Sequence, residues 1–324
     1  MPVSLEQVKL NSQDDIQIGV IDEFRKSSYI LNNLTFDDAV SPGTSGATLT
    51  YGYQRVLTEA GANFRKINDE YNASEATKER KTTELKILGG KFEIDRVLAN
   101  TGGLVDELEF QLEQKVKAAT TLFHDTVING SVAENENSFD GLDVAVTGSS
   151  TEYNTNSFID LSSTQALDDN YVVFLDEFEN WLAELDEKPS VIAGNSKLIT
   201  RIKQVARRAG YLTKNENSFG QSVVGYDNIP LIDLGAKPAS MNPVVAIETR
   251  TVGSEVTGLT DIYAVRFGLD AFHGVSLANT DLVKVYLSNF DDPGAIKTGE
   301  VEMVASVVLK KQKAAGVFRN VKVQ

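Results

Sequence analysis

Two strand-like runs, GATLTYGYQRVLTEAG over 46–61 and TTELKILGGKFEIDRVL over 82–98, enclose a charged segment, 63–81, with no large apolar side chain beyond Phe64, Ile67 and Tyr71. The runs are rich in Thr, Tyr and Val, as strands are. The pattern predicts a long two-stranded arm with a solvated tip. A hairpin of this kind is marginal by itself in water, so the arm needs another surface to lie on. That requirement restricts the fold more than any other feature of the chain. SPGTSG at 41–46 is turn punctuation ahead of the arm. Before it, Ile16, Val20, Ile21 and Phe24 fall at helical spacing, which predicts one short helix in an N-terminal arm.

The strongest helix follows Thr101, Gly102 and Gly103. Leu104, Leu108, Leu112, Val116, Ala119, Phe123 and Val127 lie on one stripe, with Glu107 and Glu109 early and Asn129-Gly130 at the end. It reads as a spine. Residues 130–165 are polar and read as a loop in which FDGLDVAV is one short strand or turn. A second amphipathic helix is expected over about 168–187, burying Tyr171, Phe174, Leu175, Phe178, Trp181, Leu182 and Leu185 beneath an acidic face. SVIAG then reads as a short buried strand, and a basic helix from about Ser196 to Ala209, carrying Arg201, Lys203, Arg207 and Arg208, is capped by Gly210. Short strands follow at NIPLID, PVVAIET, DIYAVRF, VKVYLS and EMVASVVLKKQ. The order predicts an α+β unit set into a larger sheet-containing frame.

Hydrophobic residues at 41% and charged residues at 24% of the 324 are globular proportions. The formal charge of −15 makes the average surface repel phosphate backbones and argues against a dedicated nucleic-acid binder. With no cysteine, disulfides, thiolate metal sites and cysteine nucleophiles are excluded. The start has no basic end leading into an apolar block, and no long apolar run follows, so a chain kept in a cytosol-like space, or released by lysis, is expected. His124 and His273 are the two histidines, far apart and both read as structural. There is no nucleophile elbow, phosphate loop or dinucleotide fingerprint. Asp176, Glu177, Glu179 and Glu184 offer carboxylates for hydrolysis or cation binding, but a solvated helix face explains them more simply. The acidic helix and the basic one have opposite charge and can attract each other within one chain or between copies. No catalytic residue, metal or cofactor is expected.

The order of IDEFRKSSYILNNLTF, the long arm, FEIDRVLAN entering the long helix, VINGSVAENENSFDGL, and SVIAGNSKLITRIKQVARRAGYL followed by GYDNIPLIDLG resembles the major capsid proteins of tailed bacteriophages with the Hong Kong 97-type fold. The resemblance spans most of the chain and rests on the order of elements. It implies an α+β capsid fold with an N-terminal arm at 1–40, an extended β-hairpin loop at 41–95, a peripheral domain with the spine helix at 96–140 and 260–324, and an axial domain at 141–259. It further implies that copies assemble as pentamers and hexamers into an icosahedral shell around double-stranded DNA held non-specifically. The hairpin would lie over a neighbouring subunit. The expected inter-subunit contacts are Phe64, Arg65, Lys66 and Tyr71 on the arm, with Arg201, Arg207, Arg208, Glu177 and Glu184 on the two charged helices.

Some members of that family join subunits by a lysine-to-asparagine bond. Lys66, Lys78 and Lys81 lie near the tip here, but with no identifiable partner Asn or Glu they read as solvating residues. The chain opens at Met1 with no charged helical prefix, so a separate scaffolding protein is expected, together with a portal and a decoration protein as further partners and no membrane. The expected location is the virion capsid, assembled in the host cytoplasm. An encapsulin-like compartment, the same fold enclosing an enzyme, is the alternative shell, and a carboxylate-based hydrolase the alternative of another class.

Overall fold

The computed structural model describes residues 30, 33–40, 49–58, 60–99, 107–210, 212–216, 222–237, 240–278, 282–287 and 293–324. The helix expected within 14–30 and the first turn of the spine, 101–106, lie outside these residues. In chain order the first elements are strands β1 (Phe36–Val40), β2 (Thr50–Thr58), β3 (Thr77–Glu84) and β4 (Lys86–Asp95), a one-turn helix α1 (Arg96–Ala99) and the long helix α2 (Glu107–Asn129). Next come α3 (Leu142–Val146), β5 (Glu152–Tyr153), β6 (Ile159–Asp160), α4 (Thr164–Ala183), β7 (Val191–Gly194) and α5 (Ser196–Ala209). The remaining strands are β8 (Leu212–Glu216), β9 (Ser222–Tyr226), β10 (Ile229–Asp233), β11 (Glu248–Val252), β12 (Ser254–Val265), β13 (Phe272–Leu277), β14 (Val283–Leu287), β15 (Ile296–Leu309) and β16 (Ala315–Lys322).

Among the described residues the strands form three sheets. The arm is a sheet of two strands, β2 and β3, paired antiparallel from Thr50↔Glu84 to Thr58↔Thr77. A five-stranded sheet runs β1-β13-β15-β14, with β4 along β15, and α2 lies along β4 and β15. The largest sheet has the central order β5-β16-β12-β7-β10-β9-β8. Its middle strands are buried on both faces. Ile192, Ile262, Ala264 and Phe318 pack toward α4 and α5, whereas Val191, Ala193, Tyr263, Val265 and Val317 join the core that includes Phe123, Val127 and Ile128 of α2. Such two-sided burial is why β12 reads as a nearly continuous apolar run.

The sequence reading needs three corrections here. The return strand of the arm is 77–84, drawn from the charged segment, while β4 leaves the arm and pairs with β15 from Asp95↔Ile296 to Lys86↔Ala305. The cause is burial: Phe92 and Ile94 alternate on one face of β4 and are fully covered, which a solvated arm cannot provide. Phe92 lies over Gly299, its cross-strand partner, where an added Cβ would collide with the ring. Second, the division expected at residue 260 falls inside β12, and β16 pairs with β12 rather than with the sheet beside the spine. Third, FDGLDVAV contains helix α3, because Leu142 and Val146, four apart, are both buried in one core. Of PVVAIET only Glu248 and Thr249 enter a strand.

The two charged helices follow the expected pattern. Ser163 caps α4 through a bond from Ala166 N, Asn195 caps α5 through Leu198 N at 2.9 Å, and Gly210 ends α5 at φ 79. Trp181, 1% exposed, donates from Nε1 to Thr151 O at 2.9 Å and meets Phe178 and Phe318 at centroid distances of 5.5 and 5.7 Å. Trp181→Ala is expected to cost about 3–5 kcal/mol of stability. The chain has one tryptophan, so the loss is read by circular dichroism in urea; a shift below about 1 kcal/mol would contradict the close packing assigned to this ring.

Candidate functional site

The arm has a held base and a free tip. At the base, Tyr51 Oη donates to Asp37 Oδ2 at 2.8 Å, Arg55 donates to Leu309 O at 2.7 Å and Lys310 O at 3.0 Å, and Tyr53 Oη donates to Leu309 O at 3.4 Å. Beneath these, Val40, Leu85, Val275 and Val308 form a small core of their own. Burial raises the Tyr51 and Tyr53 phenols above their ordinary value, so both remain donors. Beyond Thr58 the pairing stops.

In the tip, Asn68 takes the left-handed conformation at φ 71 in a turn closed by Asp69 N to Lys66 O at 3.2 Å. Arg65 stacks over the Tyr71 ring at 5.2 Å and donates to the Asp69 carbonyl at 3.3 Å. These bonds shape the tip and bury nothing: Phe64 is fully exposed, Ile67 is 89% exposed and Tyr71 64%. Three large exposed side chains and two cations thus share one short loop with Asp69, Glu70 and Glu75.

The charged helices meet inside the chain. Arg208 Nε reaches Asp168 Oδ1 at 2.6 Å, and Arg201 donates to Ser162 O and to Gln204 Oε1. Glu177 accepts from Tyr153 Oη at 3.0 Å and Glu179 from Tyr226 Oη at 2.7 Å. Burial, aided by the Glu177 carboxylate, holds the Tyr153 phenol above its ordinary value. Arg207, Glu184 and Asp176 remain exposed. The acidic carboxylates are therefore spread over separate partners, and among the described residues no group of His, Asp or Glu is arranged to hold a metal ion.

A second polar cluster escaped the sequence reading. Between Thr260↔Val321 and Ile262↔Phe318 the register of β12 and β16 shifts, so Asp261 stands opposite both Arg319 and Asn320 in a bulge. Asp261, 3% exposed, takes a two-pronged contact from Arg250 at 2.6 and 2.9 Å, with Arg319 Nη1 at 3.1 Å and Asn320 N at 3.2 Å. Arg319 also bridges to Asp143 at 3.0 Å and to Glu152, and Tyr263 Oη donates to Asp143 at 2.8 Å. The carboxylates keep Arg319 protonated against the opposing effect of burial, while burial and the nearby acids push the Tyr263 phenol up. The network pins α3 and β5, which follow the spine, to the centre of the large sheet. Asp261 in the apolar run DIYAVRF and Arg319 in GVFRNVKV were the available signal.

A spine helix, a sheet beside it, an arm and a second sheet under two helices make up the Hong Kong 97-type fold. The chain is similar over its whole length to the encapsulin SrpI of Synechococcus elongatus PCC 7942, at 14% identity, covering 100% of this chain and 98% of that one with a TM-score of 0.67. It is also similar to the capsid of a native GTA particle, at 11% identity, 96% and 94% coverage and a TM-score of 0.61, and to a chain of Mycobacterium phage Bobi, at 12% identity, full coverage of both and 0.59. No protein-family model and no curated protein matches the sequence.

Proposed function

We propose that this chain is the shell subunit of an icosahedral container, and specifically the major capsid protein of a tailed bacteriophage. Copies assemble as pentamers and hexamers around double-stranded DNA. The observation that carries the reading is a capsid fold over the full length of the chain whose arm ends in exposed Phe64, Ile67 and Tyr71. The arm tip is the contact with a neighbouring subunit, with Arg65 and Lys66 beside it. On the charged helices, Arg207 and Glu184 are exposed and are the contacts proposed between copies. The axial unit comprises 141–265 and 315–324, and the peripheral unit the spine with the five-stranded sheet. Function is geometric: weak contacts repeated at every copy make the closed shell cooperative. A scaffolding protein, a portal and a decoration protein are the expected partners, with assembly in the host cytoplasm. The encapsulin reading is kept because the match to SrpI has a TM-score of 0.67.

Light scattering and negative-stain imaging, on the chain expressed alone and then with its neighbouring genes, test the reading. Rings of five or six subunits, or closed shells, are expected. Nuclease-resistant DNA inside native particles supports the phage capsid, and a defined protein cargo in its place supports the encapsulin. A strict monomer under every condition overturns both.

A further inference from the structure

The base of the arm lies over a buried imidazole on β13. His273 on β13 is 0% exposed, and among the described residues neither Nδ1 nor Nε2 has a well-formed hydrogen bond; the backbone of Ala271 is the one hydrogen-bonding group near enough to favour the charged ring. Ser306, on the neighbouring β15, is equally buried and its Oγ is also unpartnered. The cover is Tyr51 of β2, edge-on to the imidazole at 6.1 Å. Lys310 stands over the Tyr51 ring at 5.5 Å, and Asp37 of β1 holds its hydroxyl. The charged and titratable groups facing this pocket are thus Tyr51, Tyr53 and Arg55 from β2, Asp37 from β1, Asp270 before β13, and Lys310 after β15.

A neutral imidazole tolerates such a place; an imidazolium has two donors to satisfy and a charge to screen. The carboxylate it would turn to, Asp37, is already engaged by Tyr51, so protonation competes with the bond that ties the arm down. What gives way is the weakest neighbour. β13 is anchored on its other face by Phe272 in the main core, whereas β2 pairs only with β3 and is held to the body by the Tyr51, Tyr53 and Arg55 bonds over a four-residue core.

We propose that His273 is a proton-operated latch for the arm. The neutral ring lets β2 lie on β13 and β15, and a proton taken up from solvent on either ring nitrogen releases the base of the arm from the body while the two sheets stay folded. Burial first, and Lys310 second, hold the imidazole below its ordinary value, against Asp37. Docking therefore favours the unprotonated form: it is complete above the free value of about 6.5 and weakens by up to about tenfold for each pH unit below it. The latch acts within one chain, so it stands or falls independently of what the shell encloses.

Amide hydrogen exchange on the full chain at pH 7.5 and 5.5, corrected for intrinsic rates, tests the proposal. Protection of 50–58 is expected to fall about tenfold at the lower pH, with β12 and β16 still far better protected than the arm. His124, buried on α2 and held at about 4, weakens the packing of α2 over the same range, so its effect is read on 107–129 and is told apart from the latch by His273→Phe. His273→Phe keeps an aromatic ring of similar shape and is expected to make arm protection equal at both pH values. Equal protection in the unsubstituted chain, or the same fall in His273→Phe, overturns the latch. Should His273→Phe not fold, imidazole C2-hydrogen exchange in the unsubstituted chain and in Tyr51→Ala decides: the His273 midpoint is expected below about 6.5 in the first and near it in the second. An ordinary midpoint in the unsubstituted chain overturns it.

Discussion

Replacing residues 59–76 with a two-residue Asn-Gly turn is expected to give subunits that fold as before and close no shells. The register is suited to the exchange, since Thr58 already pairs with Thr77 and Val56 with Lys78, and Asn-Gly matches the twist of two antiparallel strands. None of the removed side chains belongs to a core of the chain, so its own stability should change by no more than about 0.5 kcal/mol. Assembly is another matter. If Phe64, Ile67 and Tyr71 anchor each copy to the next, their loss removes about 2 kcal/mol or more from every such contact, roughly thirtyfold in each. Repeated around a ring, that leaves capsomers or single subunits. Light scattering and negative-stain imaging read the result, and shells of ordinary size from the shortened chain would sink the idea. Phe64→Ser, Ile67→Ser and Tyr71→Ser, singly and together, should give graded losses.

Asp261→Ala is expected to cost about 3–5 kcal/mol, out of a total that for most domains is about 5–15. The carboxylate is buried and is shared by Arg250, Arg319 and the Asn320 amide, so its removal leaves two guanidinium groups facing each other across the hole. Replacing the carboxylate with an amide, Asp261→Asn, keeps the shape but makes one of its two ends a donor facing arginine donors, and should recover less than half of the loss. The exposed pair Lys81–Glu79 at 3.3 Å provides the contrast; Glu79→Ala should change stability by less than about 1 kcal/mol. Urea midpoints at neutral pH measure all three. A cost near that of Glu79→Ala would show that the cluster at the bulge is solvated and not a pin.

How much of this was legible follows from what each element needs. α5 could be read almost to the residue because its cap, its apolar stripe and its terminal Gly210 are local signals. α4 was legible for its buried face, although it begins at Thr164, ahead of the expected 168, since Ser163 supplies the cap. The arm was legible as an arm but not in its strand: Thr77–Glu84 carries no apolar alternation and is a strand only because β2 lies beside it. β4 was assigned to the wrong sheet because alternation reports that one face is buried, not what buries it. The Arg201 and Arg208 contacts were legible as attraction between helices, and the choice of Asp168 and Ser162 within the same chain required the fold. The bulge at Asp261 is non-local throughout, linking residues near 143, 152, 250 and 319.

The order of strands in the large sheet differs from their order in the chain, and this sets a timetable. β7 and β10 are made early, yet the strands between β7 and the β5 edge are β12 and β16, the second drawn from 315–322. β1 likewise waits for β13, and β4 for β15. Pairings this distant in sequence form slowly and late. During synthesis Phe174, Phe178 and Trp181 on the apolar face of α4 lack their partner Phe318 until β16 leaves the ribosome, which is the interval when chaperones would be most needed. If the chain is the shell subunit proposed above, the same timetable keeps nascent chains from growing a shell, since only finished ones present a rigid body for the next copy to dock against.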